Sequence, residues 1–207
     1  YLGKTGNNLN ELKNTLPELF FEIYNKSISD KSIHLQFYTF NDLMLKPFEK
    51  IFGSFTKYLT KIFPFIFNRL TVIVGYIHSD FSSEIILEEN NNNNYHISSK
   101  PNKNSISIIN RCIKLLKNIL KKKFLIIPKL VALNLPGSSY HYGGSFPMSR
   151  DKTSETSTSK NGELYKCKNV FLLDASVFPD VPGSPTTFNI AINSSRIISN
   201  LISEKRI

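Results

Sequence analysis

Residues 170–188 read VFLLDASVFPDVPGSPTTF, and the order of parts in this stretch decides the fold class. Its apolar lead, Asn169 to Leu173, has the composition of a short buried strand. Asp174 closes that run, and Pro179, Pro182, Gly183 and Pro185 then punctuate a turn in which no regular element can continue. Ser184 to Thr187 has the makings of a helix start, with Ser184 as cap and Pro185 at the first helical position. The helix, Thr186 to Ile202, is amphipathic, and Phe188, Ile192, Ile197 and Leu201 are expected to face inward. A helix N-terminus leaves backbone N–H groups unpaired under a positive dipole end, so an anionic or electron-rich ligand can sit there.

Immediately upstream, Pro136 to Gly162 is rich in Gly, Ser, Thr and Lys and lacks any period. A loop of this length is functional or disordered more often than merely connecting. Function is expected in Gly137 to Met148 and mobility in Ser149 to Lys160. The first half contains SSYHYGGSFPM, in which His141 stands between Tyr140 and Tyr142 and is followed by Gly143 and Gly144. A lone histidine is a structural residue more often than a base. Two successive glycines tilt the reading toward a ligand, because they allow positive φ or a close backbone approach.

Farther out, Asn10 to Tyr24 carries Leu12, Leu16, Leu19, Phe20 and Ile23 at a helical period and is predicted as a helix. Ser32 to Phe40 (SIHLQFYTF) alternates as a strand, with His34 one of its side chains. One or two helices are expected between Asn41 and Phe67, broken at Pro47 and Pro64. Arg69 to Tyr76 and Glu84 to Glu88 are β-branched runs joined by the polar HSDFSS. Asn90 to Asn94 is a low-complexity loop. Asn104 to Lys123 is a helix with Ile106, Ile109, Ile113, Leu116 and Leu120 on one face, and Lys121, Lys122 and Lys123 complement its C-terminal dipole. Together these elements predict a single α+β domain over 1–207, an antiparallel sheet covered by helices on one side.

Composition narrows the function. Twenty-six Lys and Arg against 16 Asp and Glu give a net charge of +10, yet the basic residues are scattered and no nucleic-acid motif accompanies them. The most apolar stretch, Tyr58 to Ile77, is interrupted by Lys61, Pro64 and Arg69, which argues against a membrane span. The N-terminus has no apolar core of signal-peptide type and does not begin with Met. GxGxxG, GxxxxGK, HExxH and GxSxG are all missing. Cys112 and Cys167 form neither a disulfide framework nor a metal-ligand spacing, so no metal is implied, and Cys112 reads as a buried, inert thiol.

The sequence order of His141, Tyr142, Gly143, Gly144, Ser145 and Met148, followed by Asp174, Ala175, Ser176, Pro179 and a closing helix, resembles the C-terminal, substrate-binding domain of glucose-methanol-choline (GMC) oxidoreductases. Weaker echoes extend the similarity over residues 30 to 204. The resemblance implies an FAD-dependent oxidoreductase acting on CH–OH groups of alcohols or sugars. His141 would then be the base, and Tyr140, Gly143, Gly144 and Ser145 would border the substrate. Asp174, Ala175, Ser184, Pro185 and Thr186 would lie along the FAD. Most of the FAD site, the N-terminal Rossmann domain, would lie outside this chain, in another half or a separate partner. That absence predicts an apolar patch around Val177, Phe178 and Phe188. Two departures stand out: Ser145 replaces threonine, and Pro185 falls where relatives place a second catalytic His or Asn, with Ser184 and Asn189 as substitutes. The first keeps the hydroxyl and is mild, whereas Pro185 and the missing GxGxxG leave open a non-catalytic remnant or binding module that keeps the fold.

Overall fold

The structure, a computed structural model, describes residues 17–40, 48–49, 53–67, 69–89, 94–122, 136–137, 139 and 141–206. Residues 10–16 of the expected first helix, most of the asparagine run, Pro128 and Tyr140 lie outside the described residues. The chain divides into two compact units, Tyr1–Tyr76 with Ile106–Leu133, and Ile77–Ser105 with Asn134–Ile207. Helices and antiparallel strands occur in the α+β manner expected, with the strands in two sheets among the described residues.

In the first unit, β1 (Leu19–Ile23), β2 (Ile33–Thr39) and β3 (Thr71–Tyr76) form an antiparallel sheet in the order β1-β2-β3. The β1 strand replaces the end of the helix expected over Asn10 to Tyr24. Pro17 interrupts that helical period, and Phe20, Phe21 and Ile23 are good strand formers that pair in register with Gln36, Leu35 and Ile33. Ile33, Leu35 and Phe37 of the central strand are buried on one face and His34 and Gln36 on the other. The polar face is satisfied across to β1 by His34 Nδ1 on Glu22 Oε1 at 2.5 Å, and along β2 by Gln36 Nε2 on His34 Nε2 at 3.2 Å and the Tyr38 hydroxyl donating to Gln36 Oε1. The apolar stretch from Tyr58 folds as α1 (Thr56–Ile62), α2 (Pro64–Phe67) and β3, with Pro64 at the break as expected. No described helix is long and apolar enough to cross a membrane.

The second unit holds the hairpin of β4 (Glu84–Glu89) and β5 (Tyr95–Lys100). The sequence reading assigned no strand to Tyr95–Lys100. The long helix α3 (Ser105–Leu120), which begins in the second unit and continues in the first, lies where the periodicity predicts it. Its buried stripe is shifted to Ile108 and Cys112, leaving Ile106 exposed. Burial pushes the Cys112 thiol up, as suits an inert core cysteine.

The closing helix α4 (Thr187–Ser203) buries Ile197 and Leu201 as expected, whereas Phe188 and Ile192 are 73% and 53% exposed. Val177 and Phe178 are buried with Ala175, against Met148, Leu172 and Ile190, so of the expected apolar patch only Phe188 stands in solvent. The strand expected at Asn169 to Leu173 is reduced to a single bridge between Phe171 and Glu163. Asn169 has positive φ and its amide N–H is taken by Glu163 Oε1, which breaks the extended run at its start. Within 149–162, Ser157 and Thr158 are fully buried.

Arg206 ties the end of α4 to this region through two 2.8 Å bonds to Glu163, and its guanidinium lies 4.9 Å from the Phe171 ring. The Arg206 guanidinium, followed by the Asn169 N–H, holds the Glu163 carboxyl at about 2 against an ordinary 4.5. A folded value below the unfolded one means stability that is complete above about pH 4.5 and lost as pH falls toward 2. Arg206→Ala is therefore expected to lower the urea midpoint at about pH 6, with the difference from wild type nearly gone at about pH 2. An equal loss at both pH values would assign the effect to packing on Phe171 instead.

Candidate functional site

The site grows from two backbone segments that lie some thirty residues apart in sequence and edge to edge in space. The amides of Gly144, Phe146 and Met148 donate to the carbonyls of Ala175, Ser176 and Val177 at 3.1, 2.8 and 2.8 Å. Every second residue of the histidine loop thus bonds to successive residues of the 3-10 turn Ala175–Val177. Such close alignment needs a residue without a side chain at its start. A Cβ on Gly143 would come within 2.6 Å of the Ala175 carbonyl oxygen and 2.8 Å of Val181 Cγ2, and Gly144 has φ +78°. These are the two glycines whose succession pointed to a close backbone approach. Behind the loop, Thr158 supports it by donating from Oγ1 to the Phe146 carbonyl and from its amide to the Pro147 carbonyl.

Asp174 is the N-cap of the turn, accepting the Ser176 amide at 3.1 Å and the Ser176 hydroxyl on the same carboxylate oxygen. His141 is exposed, and its amide donates to Ser139 Oγ at 3.1 Å. Tyr142 is exposed too, its hydroxyl donating to the Gly137 carbonyl, and Ser145 stands in solvent beside the glycines.

The helix start differs from the expectation by two residues. Thr186, not Ser184, is the N-cap of α4, and Pro185 precedes the helix instead of opening it. Thr186 is 4% exposed and makes no side-chain cap bond. Its backbone is helical, φ −89° and ψ −15°, rather than in the extended region from which a side chain caps. Ser184 is half-buried and Pro185 exposed.

Sequence reasoning missed a further cluster, taking HSDFSS as a simple connection. His78 is buried and caps the 3-10 turn Ser79–Phe81, its Nδ1 accepting the Asp80 amide at 3.2 Å. Ligand-type atoms of His78, Asp80 and Asp180 lie within 4.8 Å of one another. The amide on Nδ1 assigns the ring proton to Nε2, which faces Asp180 Oδ2 at 3.8 Å. The trio reads as a histidine that caps its own turn through Nδ1 and faces Asp180 through Nε2. No local signal in the sequence foretells a partner a hundred residues away.

Both motifs of the site, with the helix start behind them, fall in the region 88–193 that matches the model of the GMC oxidoreductase C-terminal domain. This region is just over half of the 207 residues. The chain belongs to the GMC oxidoreductase family. The match is narrower than the 30–204 suggested by the resemblance, and β1, β2 and β3 lie outside it. No curated protein and no solved structure matches the chain.

Proposed function

We propose that this GMC family member is the substrate-domain part of an FAD-dependent oxidoreductase acting on CH–OH donors, with His141 as the base. The observation that carries the reading is the backbone ladder from the His141 loop to the Ala175–Val177 turn. It supports a single face on which the base and the flavin-lining residues act together.

The residues present fit a flat, electron-rich ligand. Gly143 and Gly144 offer a surface without side chains, and α4 begins without a side-chain cap. On this reading Ala175, Ser184, Pro185 and Thr186 line the flavin. Asp174 contributes by fixing the turn, since its carboxylate is engaged by Ser176. When bound, the flavin would supply the hydride acceptor. The chain's own task is to hold the alcohol against the Gly143–Ser145 rim and to receive the hydroxyl proton on the His141 imidazole. A small alcohol or sugar is the substrate, and an FAD-binding N-terminal half or separate flavin-binding chain is the partner. Neither nucleic acid nor a membrane span enters the reading.

Flavin titration of the chain together with a flavin-binding half, followed by absorbance and fluorescence, tests this directly. Saturable binding followed by bleaching with an alcohol, the bleaching lost in His141→Ala, is the expected result. Exposed Pro185 at the position of the second catalytic group favours the competing reading of a non-catalytic binding module. Binding without any bleaching, in the presence of the flavin-binding half, would establish that alternative.

A further inference from the structure

The backbone of Ser79 meets Val181 across 102 residues of sequence, the Ser79 amide donating to the Val181 carbonyl and the Val181 amide to Ser79 Oγ, both at 2.9 Å. This reciprocal pair fixes one residue of the proline turn by both of its backbone groups. Next to it, Asp180 faces the Nε2 of buried His78, whose other nitrogen is occupied by the Asp80 amide. The Ser82 hydroxyl donates back to the His78 carbonyl, closing the small turn on itself. On the far side, Val181 Cγ2 is one of the two groups that a Cβ on Gly143 would strike. The latch therefore ends against the α-carbon of a residue two positions from His141.

We propose that Ser79 and His78 are positioning residues for the His141 loop, acting through Val181. The inference rests on the reading of His141 as the base, for which the loop's placement matters. Val181 has one van der Waals wall at Gly143, and the Ala175 carbonyl forms the other. Fixing Val181 thus fixes the gap into which the loop enters. Ser79 supplies the acceptor for the Val181 amide, and His78 caps the turn that presents Ser79, its Nδ1 accepting the Asp80 amide. Loss of the Ser79 hydroxyl leaves the Val181 N–H without its acceptor and frees the wall to move.

Nuclear magnetic resonance of the full chain tests this without flavin or substrate. Ser79→Ala is expected to raise amide exchange at both Val181 and Gly144 by about tenfold or more and to move the His141 ring resonance. Ser79→Thr, which keeps the hydroxyl, restores both, and the His34 resonance is unmoved throughout. Val181→Ala leaves the backbone pair intact, so it should move His141 and Gly144 while the amide of residue 181 stays protected. It carries the test alone if Ser79→Ala does not fold. Faster exchange confined to residue 181 in Ser79→Ala, or a Val181→Ala spectrum with Gly144 and His141 unchanged, would overturn the proposal. Alcohol-dependent bleaching that persists in His141→Ala would sink the reading of His141 as base and leave these resonance results standing.

Discussion

Gly162→Ala is expected to lower the stability of the chain by about 3 kcal/mol or more, roughly 6–12 °C in melting temperature, the largest loss of any single methyl group considered. Two penalties coincide at this position. Gly162 has φ +73°, in the left-handed region where a side chain costs roughly 1–2 kcal/mol. A Cβ there would also lie 2.4 Å from the Leu172 carbonyl oxygen and 3.2 Å from Ile197 Cδ1. The oxygen belongs to backbone and cannot swing away, because Leu172 is bonded through its amide to the Gly162 carbonyl at 2.9 Å. Ile197, fully buried in α4, is equally confined. Gly53 separates the two penalties: its φ is +74°, and a Cβ would meet nothing within 4 Å. Gly53→Ala should therefore cost only the backbone share, roughly 1–2 kcal/mol. Urea unfolding of both variants, followed by circular dichroism, checks the prediction, and equal losses would remove the close approach at Leu172 from the account.

This contrast shows which parts of the fold a sequence can declare. Gly143 and Gly144 stand as a pair beside a histidine, and their shared purpose was legible because succession is a local signal. Gly162 carries a stricter requirement, yet it sits in a polar stretch with no period, and Leu172 and Ile197 come to it only through tertiary packing. The same division runs through the regular elements. Strand β2 and helices α3 and α4 are long and strongly patterned, so their existence follows from period alone. Strand β1 has five residues whose helical spacing was overruled by pairing with β2, and Tyr95–Lys100 is a strand because Glu84–Glu89 lies beside it. Inward faces were harder still: Phe188 and Ile192 fit the amphipathic pattern of α4, but only Ile197 and Leu201 meet a core. For the site, the two motifs were legible from their order, while the ladder joining them and the Ser79–Val181 latch depend on backbone atoms that no side-chain pattern encodes.

His141→Ala is expected to reduce alcohol turnover by roughly a hundredfold to ten-thousandfold in the flavin-supplied protein, with flavin affinity nearly unchanged. The asymmetry follows from the architecture. The loop is held by the amides of Gly144, Phe146 and Met148 and by Thr158, and none of these bonds involves the imidazole. Removing an exposed ring should therefore leave the ladder in place while the proton acceptor is lost. Asp174→Asn provides the opposite case. Its carboxylate takes both the amide and hydroxyl of Ser176, so weakening it loosens the turn to which the loop is bonded. That variant should weaken flavin binding and turnover together. Steady-state kinetics beside flavin titration would separate the two patterns. Turnover surviving in His141→Ala at the wild-type rate would move the base elsewhere, with Ser184 and Asn189 on either side of the helix start as the substitutes, and neither can hold a proton as a neutral imidazole does.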